Sequence, residues 1–164
     1  MPTHAEKRQV PHTPEQLFDL VADIERYPEF LPWCIGARIK RREGRVLFAD
    51  LVIGYKMIRE RFTSRVEPQR DVMRIDVIYT EGPFRYLNNH WVFERHPEGC
   101  VIDFYVDFEF KSRMLQSVIG LFFNEAVRRM VQAFETRADD LYGPAAAVSG
   151  RPDRPAGESG PPAS

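Results

Sequence analysis

The sequence predicts an α+β fold in which a curved antiparallel sheet of about seven strands wraps around one long C-terminal helix, with two short helices after the first strand. Three observations predict it. Segments of alternating apolar and polar residues are joined by short turns, a helical pattern closes the alternating region, and helix-capping and proline signals follow the first strand. With 164 residues, the chain is long enough for one domain with a substantial core.

The first strand is predicted over 5–10, and a helix is predicted to begin soon after it. Thr13 is a typical N-cap, Pro14 suits the first helical position, and Gln16 completes a capping box. Pro28 then breaks the following residues into a second short helix or turn.

Six more strands are predicted before the last helix. The links between them are short, which indicates antiparallel neighbours. Residues 68–71 are predicted as a turn, and residues 96–99 have the proline and glycine positions that a type I turn prefers. The six predicted strands cover 35–42, 45–53, 57–66, 72–80, 86–94 and 100–110.

The last helix is predicted over 112–142 and ends at Gly143, a glycine C-cap followed by proline. Seven of the ten residues from Met114 to Phe123 are apolar, which is too broad a stripe for one core face. Residues 144–164 are rich in proline and glycine and poor in apolar bulk, so a disordered tail is expected there. The ligand-binding domain is therefore predicted over 1–143.

One helix is not expected to fill the concave face of such a sheet. A helix of about 30 residues spans ~45 Å at ~1.5 Å per residue, and strands of eight to ten residues reach roughly 30 Å. The helix must then cross diagonally, and an incompletely filled concave face would hold an apolar cavity. The expected lining residues are Tyr27, Phe30, Trp33, Phe62, Phe104, Phe108, Leu115, Ile119, Phe122, Phe123 and Met130. The alternative, which is favoured for any single one of these side chains, is that it fills a dry core.

The sequence contains no serine elbow, glycine-rich phosphate loop or metal-ligand spacing, so a protein without catalytic or metal site is expected. His90 is a candidate acid or base if it points inward, although a surface histidine or one satisfied by the fold is the expected interpretation. Glu60 shares a strand face with Phe62, where it either contacts a ligand or, as we expect, forms an internal ion pair. Cys34 and Cys100 are expected to be reduced thiols.

The formal charge of −1 argues against bulk attraction to nucleic acid, so no DNA partner is expected. A row formed by Arg59, Arg61 and Arg65 could meet ribosomal RNA or anionic headgroups, although a solvated face with acidic neighbours is the expected reading. No secretory signal and no apolar stretch of ~20 residues is present. These features predict a cytoplasmic protein, at most peripheral to the inner membrane.

Several short motifs taken together resemble the coenzyme Q-binding family of START-like domains. That family lies in the polyketide cyclase/dehydrase superfamily and includes the bacterial ribosome association toxin type. The resemblance covers roughly residues 3–143. The motifs are Tyr-Pro-Glu-Phe-Leu-Pro-Trp-Cys at 27–34, Glu-Arg-Phe-Thr-Ser-Arg-Val at 60–66, Trp-Val-Phe at 91–93, Phe-Glu-Phe-Lys-Ser at 108–112 and Ala-Phe-Glu-Thr-Arg-Ala at 133–138.

The resemblance implies a helix-grip fold and a quinone chaperone that supports respiration, with bound ubiquinone or a similar isoprenoid lipid and no required cofactor. It also implies that Pro32, like Tyr27, Phe30, Trp33 and Phe62, shapes the cavity and does no chemistry, and that the first half of the last helix is the portal. Three functions stay open: a carrier that meets membranes transiently, a ribosome-binding toxin, and an aromatase or cyclase. The apolar excess favours the carrier, for which Phe122 and Phe123 are the expected membrane contacts.

Overall fold

The computed structural model describes residues 3–55 and 58–143, with the side chain of Tyr55 outside the description. The predicted tail over 144–164 and the predicted strand start at Met57 also lie outside the described residues. The described elements are β1 (Thr3–Val10), α1 (Pro14–Ala22), β2 (Cys34–Glu43), β3 (Val46–Tyr55), β4 (Ile58–Gln69), β5 (Arg74–Glu81), β6 (Phe84–His96), β7 (Gly99–Phe110) and α2 (Arg113–Tyr142).

The predicted fold is confirmed. The strands form one seven-stranded sheet in the order β1-β7-β6-β5-β4-β3-β2, and every neighbouring pair is antiparallel. The sheet curves around α2. A 3₁₀ helix at Ile24–Glu29 follows α1 and contains Pro28, as the proline signal predicted. The core lies on the concave face, between the sheet and α2.

Side-chain caps fix where both α-helices begin. The Thr13 hydroxyl accepts a hydrogen bond from the backbone N–H of Gln16, and the Gln16 side chain accepts one from the backbone N–H of Thr13, each at 3.1 Å. The Ser112 hydroxyl accepts from the backbone N–H of Leu115 at 3.2 Å. These bonds satisfy N–H groups that have no partner inside their helix.

The predicted turn at 68–71 is wrong in its first residues. β4 continues to Gln69, with Pro68 opposite Ile75 in the β4–β5 ladder, and the chain turns in a 3₁₀ segment at Arg70–Val72. The β3–β4 ladder ends at the pair of Leu47 and Val66. Beyond that pair, β4 has a free edge on its β3 side, where the missing N–H of a proline breaks no ladder bond.

The second half of α2 is held by an aromatic cluster. The ring of Phe134 makes edge contacts with Tyr27, Phe30 and Trp91, at centroid distances of 5.4, 5.2 and 5.0 Å. Phe134 is almost fully buried. Edge-to-face pairs of this kind add to the free energy gained from burying apolar area, so this cluster fixes the helix against the sheet and the 3₁₀ helix.

Polar contacts tie α2 to the strand at one edge of the sheet. Arg8 of β1 donates to the side chains of Gln132 and Glu135, both at 2.9 Å. Further toward the start of α2, His4 and Asn124 form a hydrogen bond of 3.1 Å. The helix is therefore anchored along its β1 side, and its opposite side faces the concave surface of β3 and β4.

Both cysteines are buried and carry free thiols. Burial raises the pKa of the Cys34 thiol and raises the pKa of the Cys100 thiol to about 12. Because the thiolate is the reactive form, neither side chain is set up as a nucleophile at neutral pH.

The buried carboxylate of Asp50 is held on the convex side of β3. The Thr63 hydroxyl donates to it at 2.5 Å and Arg38 donates at 3.4 Å. Burial alone would raise the pKa of Asp50, but the hydrogen bond from Thr63 and the charges of Lys40 and Arg38 outweigh it and lower the pKa. A pKa that is lower in the folded state adds stability above the unfolded pKa, and this stability is lost as the pH falls through the folded pKa.

Replacing Asp50→Asn should therefore lower the free energy of unfolding at pH 7 by about 1–3 kcal/mol. It should also reduce the loss of stability on acidification below about pH 4. Urea unfolding at pH 7 and pH 3 measures both effects. The control is Glu43→Gln, which removes an exposed ion pair with Arg41 and should change stability by less than about 0.5 kcal/mol. An Asp50→Asn protein with the parental pH dependence would contradict the prediction.

Candidate functional site

A cavity of about 440 Å³ lies between the concave face of the sheet and α2. β3 to β7 supply most of its wall, α2 covers it, and α1 closes the inner end with Val21. The volume lies within the range of small-molecule sites, roughly 300–1,000 Å³. Apolar side chains dominate the wall, so the cavity suits a hydrophobic ligand.

Most of the residues predicted to line a cavity are on its wall. Phe30 and Leu115 are not. Phe30 packs behind the wall against Phe134, and Leu115 lies at the first turn of α2. The predicted residues that the structure brings together are Tyr27, Pro32, Trp33, Phe62, Phe104, Phe108, Ile119, Phe122, Phe123 and Met130. Their contact with a ligand stays a prediction.

The exposed members of the wall mark the mouth of the cavity. Pro32 lies on one side of it, and Phe122 and Arg129 lie on the other, along α2. The backbone N–H of Gly54 donates to the carbonyl of Trp33 at 2.8 Å and holds the residues before β2 against β3. The mouth therefore opens between the first half of α2 and the end of β3, and its use as a portal stays a prediction.

Trp33 lies at this mouth in an unusual backbone conformation. Its φ is 68°, in the left-handed region that costs a bulky residue about 1–2 kcal/mol. Such strain persists only where surrounding contacts enforce it, and it often marks a functional segment. The side chain of Trp33 lines the cavity.

Polar side chains are sparse on the concave face of the sheet. Glu60, Ser64 and Asn89 lie in the cavity wall. The Tyr27 hydroxyl, which also borders the cavity, donates to the backbone carbonyl of Val21. Burial raises the pKa of Tyr27, so its hydroxyl stays neutral. Tyr27 therefore presents mainly its ring to the cavity.

The ion pair expected for Glu60 is not formed among residues 3–55 and 58–143. Glu60 lies opposite Ile53, close to the mouth, and borders the cavity. Successive side chains of a strand point to opposite faces. The neighbouring Arg59 and Arg61 therefore point to the convex face, which explains why they do not neutralise this carboxylate.

His90 lies on the convex face of the sheet. Its ring stacks on Tyr105 at a centroid distance of 5.3 Å with the two planes 19° apart. Its strand neighbours Asn89 and Trp91 point into the cavity instead. His90 therefore cannot act as an acid or base on a ligand inside the cavity.

The sequence argument missed Ser64 and Asn89. The Asn89 side-chain nitrogen donates to the backbone carbonyl of Tyr105 at 2.8 Å. The Ser64 oxygen is buried and has no hydrogen-bond partner in the described part of the chain. Their positions in strands of alternating burial, between inward apolar residues, are the signal that could have found them.

Within the described ranges, no group of three or more His, Cys, Asp and Glu side chains is arranged to hold a metal ion. Among the described helices, none is both long enough and apolar enough to cross a membrane.

Exposed arginines lie on the convex face of β4. Arg65 forms an ion pair with Glu67 at 3.4 Å. Arg59 and Arg61 have no ion-pair partner among the described residues. This convex surface is therefore only partly neutralised, and it lies on the side of the sheet opposite the cavity.

Residues 10–135 match the model of the family described as polyketide cyclase / dehydrase and lipid transport. The chain belongs to this family. One relative, a ribosome association toxin RatA from Rickettsia prowazekii, is 38% identical over 80% of this chain and 92% of its own length. Another, the mitochondrial coenzyme Q-binding protein COQ10 homolog B from Xenopus laevis, is 32% identical over 85% of this chain and 59% of its own length.

Two solved structures have a fold similar to that of this chain. A START superfamily protein from Mycobacterium smegmatis matches with a TM-score of 0.72, 20% identity, and coverage of 85% of this chain and 98% of its own. The Zhui aromatase/cyclase from Streptomyces matches with a TM-score of 0.76, 12% identity, and coverage of 84% and 93%. At these identities the two structures support the START-like fold alone.

Proposed function

We propose that the protein is a non-catalytic chaperone for an isoprenoid quinone, most specifically ubiquinone, and supports respiratory electron transport. The observation that carries this proposal is the partly open apolar cavity under α2. Similarity to a relative named as a coenzyme Q-binding protein supports the choice of ligand. We further propose that it works in the cytoplasm, beside the inner membrane.

The cavity has the chemistry that an isoprenoid ligand needs. Each buried CH₂ group contributes about 0.8 kcal/mol, so a few isoprene units give useful affinity. A long tail has more volume than the 440 Å³ cavity, so part of it must leave through the mouth. The position of His90 on the convex face supports binding without turnover, since the candidate acid or base cannot reach this ligand.

The first half of α2 provides a surface for exchange with a membrane. Met114 is 73% exposed and Leu121 is 80% exposed, and the two residues lie two turns apart on the same side of the helix. Phe122, beside Leu121, borders the mouth. Phe123 does not fit its expected role as a membrane contact, because it is 7% exposed and its ring packs on Phe108 at 4.9 Å. We propose Met114 and Leu121 as the contacts with a transient membrane partner.

Ribosome binding is a second candidate function. The name of the Rickettsia relative favours it, and so do Arg59 and Arg61 on the convex face, which have no ion-pair partner in the described part of the chain. Arginine side chains without acidic partners are suited to phosphate contacts with RNA. This proposal uses the face of the sheet that the quinone proposal leaves free.

Organic extraction of the protein, purified from a quinone-producing bacterium, should release ubiquinone in about equal molar amount, measured by mass spectrometry. An Ile119→Trp variant should release at least about tenfold less, because the larger ring fills the cavity that Ile119 lines. Ser117→Trp is the matched control, since Ser117 is exposed on the same helix. A folded, unsubstituted protein that carries no quinone would contradict the proposed ligand.

Replacing both Met114→Ser and Leu121→Ser should slow quinone transfer from lipid vesicles about tenfold and leave equilibrium binding nearly unchanged. The reason is that these exposed side chains would lose apolar contact with the membrane while the cavity stays intact. Leu141→Ser is the control, because Leu141 is 51% exposed at the other end of the helix. Equal transfer rates for all three proteins would exclude this membrane surface.

The ribosome proposal predicts cosedimentation with ribosomal subunits at low salt. An Arg59→Gln, Arg61→Gln variant should lose most of it, because two phosphate-binding side chains are removed. An Arg41→Gln, Arg95→Gln variant, which removes two exposed arginines paired with Glu43 and Glu15, is the charge-matched comparison. Cosedimentation that is absent, or unchanged in the double variant, would reject this role for Arg59 and Arg61.

A further inference from the structure

Ser64 is a buried hydroxyl in an apolar wall. It is 2% exposed, it borders the cavity, and its oxygen has no hydrogen-bond partner within the described ranges. Its inward neighbours on β4 are Phe62 and Val66. A buried hydroxyl without a partner destabilises the protein, so the serine is costly unless a partner arrives from the cavity.

The residue across the ladder from Ser64 is also small. Ala49 lies directly opposite Ser64 in the β3–β4 ladder and also borders the cavity. The neighbouring pairs in the ladder, Leu51 with Phe62 and Leu47 with Val66, are larger, so we expect a shallow recess in the wall at Ser64 and Ala49. The serine side chain has one torsion with three staggered positions, so its hydroxyl can turn toward a group that occupies the recess.

Other polar groups around the cavity have at least part of their hydrogen-bonding capacity in use or lie nearer the mouth, where Arg129 pairs with Glu125. The Asn89 nitrogen donates to Tyr105, and the Tyr27 hydroxyl donates to Val21. Glu60 lies four residues nearer the mouth than Ser64, roughly 13 Å along the strand at ~3.3 Å per residue. A carboxylate accepts hydrogen bonds and has none to offer a carbonyl oxygen.

We propose that Ser64 donates a hydrogen bond to a ring carbonyl oxygen of the quinone, so that the ligand binds with its head group inward and its tail toward the mouth. This inference rests on the proposed quinone-binding function. The reverse orientation would place an apolar tail against Ser64 and leave its hydroxyl without a partner. The inward orientation satisfies the hydroxyl and lets the surplus tail leave beside Phe122.

The test compares two probes: ubiquinone with two isoprene units, and an isoprenoid hydrocarbon of similar length that has no oxygen. Binding is followed by isothermal titration in dilute detergent. Ser64→Ala should weaken quinone binding about tenfold, the loss of one hydrogen bond, and leave hydrocarbon binding within about twofold. The ligand-free variant should melt about 2–4 °C higher, because an unpartnered hydroxyl has been removed.

Val66→Ala is the matched control, since it removes apolar wall from the same strand face and should weaken both probes by a similar factor. The melting temperatures show that each variant is folded. If the unsubstituted protein binds neither probe, the proposed function fails and this inference fails with it. If the unsubstituted protein binds quinone and Ser64→Ala changes quinone and hydrocarbon binding equally, the quinone proposal stands and the role of Ser64 is overturned.

Discussion

The structure depends on how one helix is held across a sheet of seven strands. The Phe134 cluster fixes the second half of α2 against Trp91, Tyr27 and Phe30. α1 and the 3₁₀ helix add their apolar side chains at that end, so the core there is filled. Among residues 3–55 and 58–143, no helix covers the first half of α2 in this way, and these residues leave the concave sheet beneath it unfilled. The cavity therefore forms because helices fill the concave face at one end of the sheet and leave it incompletely filled at the other.

The side from which α2 is tied decides where the cavity opens. Contacts from His4 and Arg8 close the β1 side. The side toward β3 is bordered by Trp33 and Gly54, and the backbone hydrogen bond between them holds this side of the cavity mouth in place. The Trp33 side of the mouth is held by a backbone hydrogen bond, whereas the first half of α2 carries exposed apolar residues. If the mouth widens, the first half of α2 is therefore expected to move more than the Trp33 side.

Periodicity predicted the strands and α2 because burial on one face imposes a repeat that sequence displays directly. Periodicity failed for residues whose positions depend on contacts between distant parts of the chain. Pro68 stays in β4 because a neighbouring ladder has already ended, and Phe30 lies behind the cavity because Phe134 fills the space in front of it. Ser64 was missed because the alternating pattern draws attention to apolar residues. Ser64 is of interest because its buried hydroxyl has no hydrogen-bond partner in the described structure. Such an absence is a property of the folded surroundings.

β4 presents different chemistry on its two faces. Its inward residues Glu60, Phe62 and Ser64 border the cavity, while Arg59 and Arg61 point to the convex face. A change to an inward residue need not alter the convex charge, and a change to an arginine need not alter the cavity. Relatives with ribosome and coenzyme Q names are therefore compatible with one scaffold. Binding inside the cavity and binding on the convex face are physically separable, and each has to be judged from its own residues.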